Sequence, residues 1–312
     1  MQFAAVFPGQ GSQSVGMLSE LSENFNEVID TFQEASDTLG RDLWAITKQE
    51  DVAALNQTEN TQPIMLAAGI SVWRIWLRQG GCLPVGMAGH SLGEYSALVA
   101  SGVIGFSDAI KLVSERATLM QQAVPDGAGA MAAILGLDDE TIVKICTDSK
   151  DKGIVEAVNF NSPGQVVIAG EVAAVDFAID KLIEAGAKRA IKLPVSVPSH
   201  CSLLKGAAEK LETTLEKTIF TESQYPVLQN FVAKSFEGVK EKKDALSKQL
   251  YQPVLWVDTI NNLHTDQGAD IIIEFGPGKV LFGLNRRINR TLGNICVSDN
   301  ASLEKALKLC TA

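Results

Sequence analysis

Three residues of this chain stand out by type and setting as candidates for chemistry: Ser91, His200 and Arg116. Ser91 lies between Gly89 and Gly93 in the run GMAGHSLGEYSALVASG, which starts at Gly86. Gly89, Ser91 and Gly93 spell G-x-S-x-G, the pattern of a nucleophile elbow, where a strand turns so sharply into a helix that the serine hydroxyl is left exposed. Glycines flank the serine because a side chain at either place would collide with the neighbouring backbone. The same residues also suit a structural Gly-Ser turn. Their flanks favour the elbow: Leu83 to Ala88 is short and uncharged, as a buried strand would be, and Gly93 to Ser101 suits a helix that stops at Gly102.

His200 sits in the proline-bounded loop VSVPSHC, just ahead of a helix expected from Ser202 to about Thr218. A histidine held there can point into a cleft as a general base, or can simply bond to its own loop. His90 adjoins Ser91 and its side chain should leave the elbow in another direction, and His264 ends the polar stretch NNLHTDQG, which reads as solvated. Arg116 lies in a helix expected to start at Ser107 as N-cap, inside a broad apolar stripe of Ala109, Ile110, Leu112, Val113, Ala117, Leu119, Met120 and Ala123. A guanidinium in such a stripe must snorkel to an edge, pair with an internal carboxylate, or await an anionic ligand.

The elements that must position these residues alternate along the chain. Gln2 to Phe7 reads as a strand and runs into Pro8-Gly9-Gln10-Gly11-Ser12; the third glycine of a dinucleotide fingerprint would fall at Ser14, so this loop offers free backbone N–H groups at a strand end instead. Helical material follows over Asn24 to Leu39 and, nearly all apolar, over Pro63 to Leu77. From Ala128 to Ser196 the order is strand, helix, strand, strand, helix, strand, the ferredoxin-like order, with Asn159 to Gly164 as a hairpin-type loop. This predicts a small domain inserted into a larger one, with limits near residues 127 and 196. Further on come strands near Pro226 to Phe231 and Asp270 to Phe275, with helices over Lys240 to Tyr251 and Val257 to His264. Gly276-Pro277-Gly278-Lys279 lacks the P-loop pattern.

Composition sets the class. At 312 residues, 46% hydrophobic and 21% charged, the chain can bury a large core, and a net charge of −10 argues against general nucleic-acid binding. No apolar run approaches a bilayer span, and the start, MQFAAVFPGQGSQ, lacks the features of a signal peptide, so a cytoplasmic location is expected, with no membrane partner. Five cysteines without a C-x-x-C pair fit free thiols in a reducing compartment, and the three histidines have no metal-ligand spacing.

Six motifs, in order and at compatible spacing, carry a resemblance over essentially the whole chain: FPGQGSQ, GHSLGEYSAL, Arg116 in its helix, NFNSPGQVVIAG, VSVPSHC and EFGPGKVL. Together they resemble the malonyl-CoA:acyl carrier protein transacylases of the stand-alone bacterial type. The resemblance implies an α/β fold, with an α/β-hydrolase-like catalytic domain built from residues 1–126 and 197–312 and a ferredoxin-like inserted domain at 127–196. It implies Ser91 as nucleophile, His200 as base and acid, Arg116 as partner of the malonyl carboxylate, the backbone amides of Gln10 and Leu92 as oxyanion donors, and the main-chain carbonyl of Gln249 as the group that orients His200. The substrates would be malonyl-CoA and acyl carrier protein, with no metal or other cofactor, and a monomer is expected. A serine esterase or thioesterase on the same elbow is the alternative, and Arg116 in its apolar stripe speaks against it. The carrier protein of this family is acidic. Between Phe275 and Ser298 there is no Asp or Glu, while Lys279, Arg286, Arg287 and Arg290 give a local charge of +4, so this stretch, with Lys188 and Arg189, either receives the carrier protein or the CoA phosphates or is an ordinary solvated face.

Overall fold

A computed structural model describes residues 1–50, 52–195 and 197–310. The expected domain limit at residue 196 therefore lies outside the described residues. The described residues form ten strands: β1 (Phe3–Phe7), β2 (Gly86–Gly89), β3 (Gly129–Leu135), β4 (Val155–Ser162), β5 (Gln165–Glu171), β6 (Arg189–Lys192), β7 (Val227–Gln229), β8 (Lys234–Ser235), β9 (Ile271–Phe275) and β10 (Gly293–Val297). They make a six-stranded sheet in the order β10-β9-β1-β2-β7-β8 and a four-stranded sheet in the order β4-β5-β3-β6.

The larger sheet is parallel apart from β8, and its central strands are buried on both faces, which is why FAAVF and IIIEF read as unbroken apolar runs rather than alternating ones. Alternation reappears in what each side chain meets. Phe3, Ala5 and Phe7 join the core under the helix Thr58–Arg78, where Trp73 and Trp76 meet Phe275 edge-on at 5.2 and 5.4 Å. Ala4 and Val6 join the opposite core with Trp256, Leu281 and Leu284. The strand before the elbow is shorter than Leu83 to Ala88, because Pro84 has no N–H to donate and pairing with β1 runs only from Gly86 to Gly89. The helix that carries Arg116 starts at Phe106 with Gly105 as N-cap; Ser107 donates instead to Glu34 Oε1 at 3.1 Å.

In the smaller sheet all pairings are antiparallel, and the helices Asp139–Asp148 and Val172–Glu184 cover one face. Strand β4 is longer than the sequence suggests. It runs through Asn159 and Asn161 to Ser162 with two irregularities of register, so the hairpin loop shrinks to Pro163-Gly164. The strand also bonds to the larger part of the molecule through Phe160 N to Val254 O at 2.9 Å and Val254 N to Val158 O at 2.8 Å.

The cysteines need a correction. Cys82 and Cys310 form a disulfide, whereas Cys146, Cys201 and Cys296 are free and buried. The two partners are 228 residues apart and meet because the final turn Lys308–Cys310 folds back beside the loop after Arg78, a contact that no sequence spacing signals.

Glu274 shows how the fold sets one wall of the later site. Its buried carboxylate accepts from Leu281 N at 3.2 Å and Phe282 N at 2.8 Å, so it satisfies the free amides at the start of the helix Val280–Ile288. Burial raises this carboxyl from its ordinary 4.5 to about 7. Because the folded state holds the proton more tightly than the unfolded chain, this group's stabilisation is present below pH 4.5 and lost as pH rises through about 7. The stability of Glu274→Gln relative to wild type, measured by urea unfolding, is therefore expected to rise by about 3 kcal/mol across that window. A difference that does not change with pH would show that the carboxyl is solvated.

Candidate active site

The turn at Ser91 is a backbone problem before it is a chemical one. Ser91 has φ 52°, a left-handed conformation that costs a non-glycine residue on the order of 1–3 kcal/mol and persists only where the surroundings over-determine it. His90 N bonds to Phe7 O at 3.0 Å, so the turn is laid across the end of β1. A Cβ at Gly93 would overlap the Phe7 carbonyl and one at Gly89 would overlap the backbone of Gly93, which accounts for both glycines. Asn230, one residue past β7, holds the two sides of the turn: its Oδ1 accepts from Ser91 N at 2.7 Å and its Nδ2 donates to Gly89 O at 2.7 Å. Asn230 escaped the sequence reading because it belongs to no motif and lies 139 residues from Ser91.

His200 also has positive φ, at 67°, and its N–H bonds to Leu250 O at 2.9 Å. The ring lies between two partners. Nδ1 is 2.7 Å from the Gln249 carbonyl oxygen, which can only accept, so Nδ1 carries the proton and Nε2 faces Ser91 Oγ, 2.8 Å away, as acceptor. The Gln249 carbonyl is available because that residue ends the helix Val239–Gln249, where the last carbonyls have no partner within the helix. Burial, and then the positive charge of Arg116, lower the imidazole to about 3, while the bond to Gln249 acts the other way. The ring is thus neutral, with Nε2 placed to accept a hydrogen bond from Ser91 Oγ.

Two of the three readings of an arginine in an apolar stripe find no support in the surroundings of Arg116. It is 0% exposed, so it does not snorkel. Its partners are amide oxygens: Nη1 donates to Gln62 Oε1 at 2.7 Å and Nη2 to Gln249 Oε1 at 3.0 Å, with Ser91 Oγ 3.4 Å from Nη2. The guanidinium also lies over the Tyr95 ring at 5.4 Å, and its Nε is buried without a partner. Among the described residues no carboxylate forms an ion pair with it. Burial without a counter-charge lowers its pKa, which Tyr95 and Glu94 oppose.

A cleft of about 210 Å³ opens above Ser91 and His200 between the two sheets, walled by Met131, Val167, Leu281 and Leu284 with Asn159 and Asn161 as its polar lining. Gln10 lines it too, and the Gly9–Gln10 turn lies against the elbow, since a Cβ on Gly9 would come 3.6 Å from Leu92 N. Neither the Gln10 nor the Leu92 amide donates to a protein acceptor among the described residues. His90 turns away from Ser91 as expected, with Nε2 2.7 Å from Asn161 Oδ1 and its ring against Trp256. His264 is half-buried rather than solvated, because Nδ1 bonds to Ala269 O at 2.7 Å and closes the loop before β9. Arg286 and Arg287 lie outside the cleft, on the outer side of the helix whose Leu281 and Leu284 form the cleft wall. Arg286 stands over the Phe282 ring, and Arg287 Nη1 donates to Gln165 Oε1 of the smaller sheet at 2.6 Å. Lys279 precedes the same helix. Among the described residues no cluster of three or more His, Cys, Asp or Glu could hold a metal.

The acyl transferase domain family matches residues 5–297. Over 306 residues the chain is 52% identical to the malonyl CoA-acyl carrier protein transacylase of Salmonella typhimurium, covering 98% of this chain and 99% of that protein. It is 53% identical to the enzyme of the same name from Haemophilus influenzae, covering 96% of each. Among solved structures, a malonyl-transacylase in complex with a type II PKS acyl carrier protein superposes with a TM-score of 0.97 at 52% identity, over 99% of this chain and 100% of that one. An acyl carrier protein S-malonyltransferase from Vibrio cholerae gives 0.95 at 53%, over 98% and 99%.

An imidazole held near 3 stays neutral through mildly acid solution. Modification of Ser91 by a sulfonyl fluoride, followed by mass spectrometry, is therefore expected to keep its rate as pH falls through 6.5. A loss with an apparent pKa near the ordinary 6.5 would show that water reaches the ring.

Proposed function

The chain belongs to the malonyl CoA-acyl carrier protein transacylases of the acyl transferase family, and we propose that it moves a malonyl group from malonyl-CoA to the thiol of acyl carrier protein through an ester on Ser91. Ser91 Oγ attacks the thioester carbonyl while its proton passes to His200 Nε2. The negative oxygen that forms meets the amides of Gln10 and Leu92, each worth about 10²–10³ in rate. Collapse breaks the C–S bond, and the proton on His200 goes to the departing CoA sulfur. The carrier-protein thiol then gives its proton to His200 and attacks the malonyl ester, and as the ester C–O bond breaks that proton returns to Ser91 Oγ. Each step is an acyl exchange with no net oxidation, so the chemistry calls for no redox cofactor, and Ser91 with His200 supplies the nucleophile and base that a metal would otherwise provide.

A base with so low a pKa takes up a proton poorly from a neutral partner. The imidazolium gains support only as the adjacent oxygen becomes negative, so protonation and carbonyl addition are coupled. The Gln249 carbonyl replaces a carboxylate as the orienting group, and it fixes the tautomer without adding a second buried charge beside Arg116.

The observation that carries the malonyl reading is Arg116: a fully buried guanidinium, bonded to neutral amides and reaching to 3.4 Å from the serine oxygen. Its Nε is buried without a partner, so the guanidinium keeps a donor to spare for a carboxylate. A hydrolase acting on neutral esters has no use for a buried cation there. We read the two sheets as an α/β-hydrolase-like domain, residues 1–126 and 197–312, and a ferredoxin-like insertion, 127–196, whose junction forms the cleft. Among the described residues no helix is long and apolar enough to cross a membrane, and we place the enzyme in the cytoplasm as a monomer.

Incubation with radiolabelled malonyl-CoA is expected to leave label on Ser91 until holo acyl carrier protein removes it; release to water alone would favour a thioesterase. Ser91→Ala should bind no label, and His200→Ala should slow labelling by orders of magnitude. The basic face of Arg286 and Arg287 flanks the cleft wall, which fits an acidic carrier protein arriving there. Changing both to Glu is expected to raise KM for carrier protein and weaken its salt dependence. If neither moves, these arginines are a solvated face.

A further inference from the structure

Glu94 is the second residue of the elbow helix Gly93–Ala100 and is 0% exposed. A carboxyl there is costly, and burial raises it to about 7, so its presence calls for a reason. Its Oε2 accepts two donors, Asn230 N at 2.8 Å and Gln249 Nε2 at 3.0 Å, and its Oε1 has no partner. The Gln249 amide is nearly symmetric in shape and opposite in chemistry at its two ends. Its oxygen receives Arg116 Nη2 at 3.0 Å, while its nitrogen donates to Glu94 and to Ser91 O at 2.9 Å. If that amide rotated by half a turn, its NH2 would face a guanidinium that can only donate, and Arg116 would lose its hold on this side. Oε2 already takes two N–H donors, so any proton on the carboxyl sits on the unpartnered Oε1, and in either state Oε2 accepts and favours the NH2 end of Gln249.

We propose that Glu94 is a positioning residue: by fixing which end of the Gln249 amide faces Arg116, it holds the guanidinium beside Ser91 and so sets the preference for acyl groups that end in a carboxylate. This rests on the reading of Arg116 as the carboxylate partner. Glu94 itself touches neither substrate nor the reacting atoms. Its neighbours also explain why a neutral replacement would not serve equally well. A glutamine at 94 is a weaker acceptor than a carboxylate and brings an NH2 of its own, so the Gln249 amide would be held in this orientation mainly by Ser91 O, with a looser grip on its NH2 end.

The test is the ratio of kcat/KM for malonyl-CoA to that for acetyl-CoA, normalised to the fraction of protein that releases a burst of CoA. Arg116→Ala is the reference and should collapse the ratio. Glu94→Gln is expected to lower it about fivefold, the scale of one hydrogen bond, mainly through a higher KM for malonyl-CoA. Glu94→Met, similar in volume but without an acceptor, should lower it by about tenfold or more. A purely structural role would reduce the melting temperature and the active fraction and leave the ratio alone. That result in Glu94→Gln, with Arg116→Ala collapsing the ratio, overturns the proposal even if Glu94→Met fails to fold. An unchanged ratio in Arg116→Ala would instead overturn the reading of Arg116 on which the proposal stands.

Discussion

A serine in the left-handed region, facing a cleft, stays there only if its peptide groups are held more firmly than the strain pushes back. Here two side-chain amides add to the backbone bonds from His90 N to Phe7 O and from Glu94 N to Ser91 O. Asn230 spans Ser91 N and Gly89 O, and Gln249 Nε2 takes Ser91 O. Gln249 then does more: its carbonyl carries His200 and its side-chain oxygen carries Arg116. Ser91, His200 and Arg116 are therefore all positioned by one residue at a helix C-terminus, and a displacement of that residue would be felt by all three.

The electrostatics follow from the same arrangement. Arg116 is kept in a dry site by neutral oxygens and the Tyr95 ring, which orient it without neutralising it, and its field helps to keep His200 unprotonated in the free enzyme. Pairing with a carboxylate acyl group would relieve the buried cation, and a neutral acyl group would leave it unpaired, at a cost of roughly 2–4 kcal/mol. Selectivity of this kind is a penalty on the wrong substrate as much as an attraction to the right one.

How much of this was legible in the sequence depends on the range of the contact. Ser91 and Arg116 each announce themselves within a dozen residues, one by flanking glycines and the other by interrupting an apolar stripe. The larger sheet was legible because strands buried on both faces are short apolar runs, and the inserted β-α-β-β-α-β unit because its elements follow one another directly. His200 was legible through its proline-bounded loop, although the geometry of its ring was not. Asn230, Gln62 and Glu94 were not singled out at all. Their roles arise from pairs such as Asn230 with Ser91 and Gln249 with Glu94, 139 and 155 residues apart, and an amide or a carboxylate in an amphipathic segment carries no local mark of being buried. The Cys82–Cys310 bond failed for the same reason. The Gln249 carbonyl came only from family resemblance, since any residue type offers a main-chain oxygen.

The most direct measurement is a crystal structure of the enzyme with the malonyl ester trapped on Ser91. The malonyl carboxylate is expected to take a hydrogen bond from Arg116 Nε, with the Gln62 and Gln249 contacts to the guanidinium kept and the ester carbonyl oxygen against the Gln10 and Leu92 amides. A carboxylate directed instead toward Asn161 or into solvent, with Arg116 unmoved and unbonded to it, would contradict the assignment of that buried cation to substrate selection.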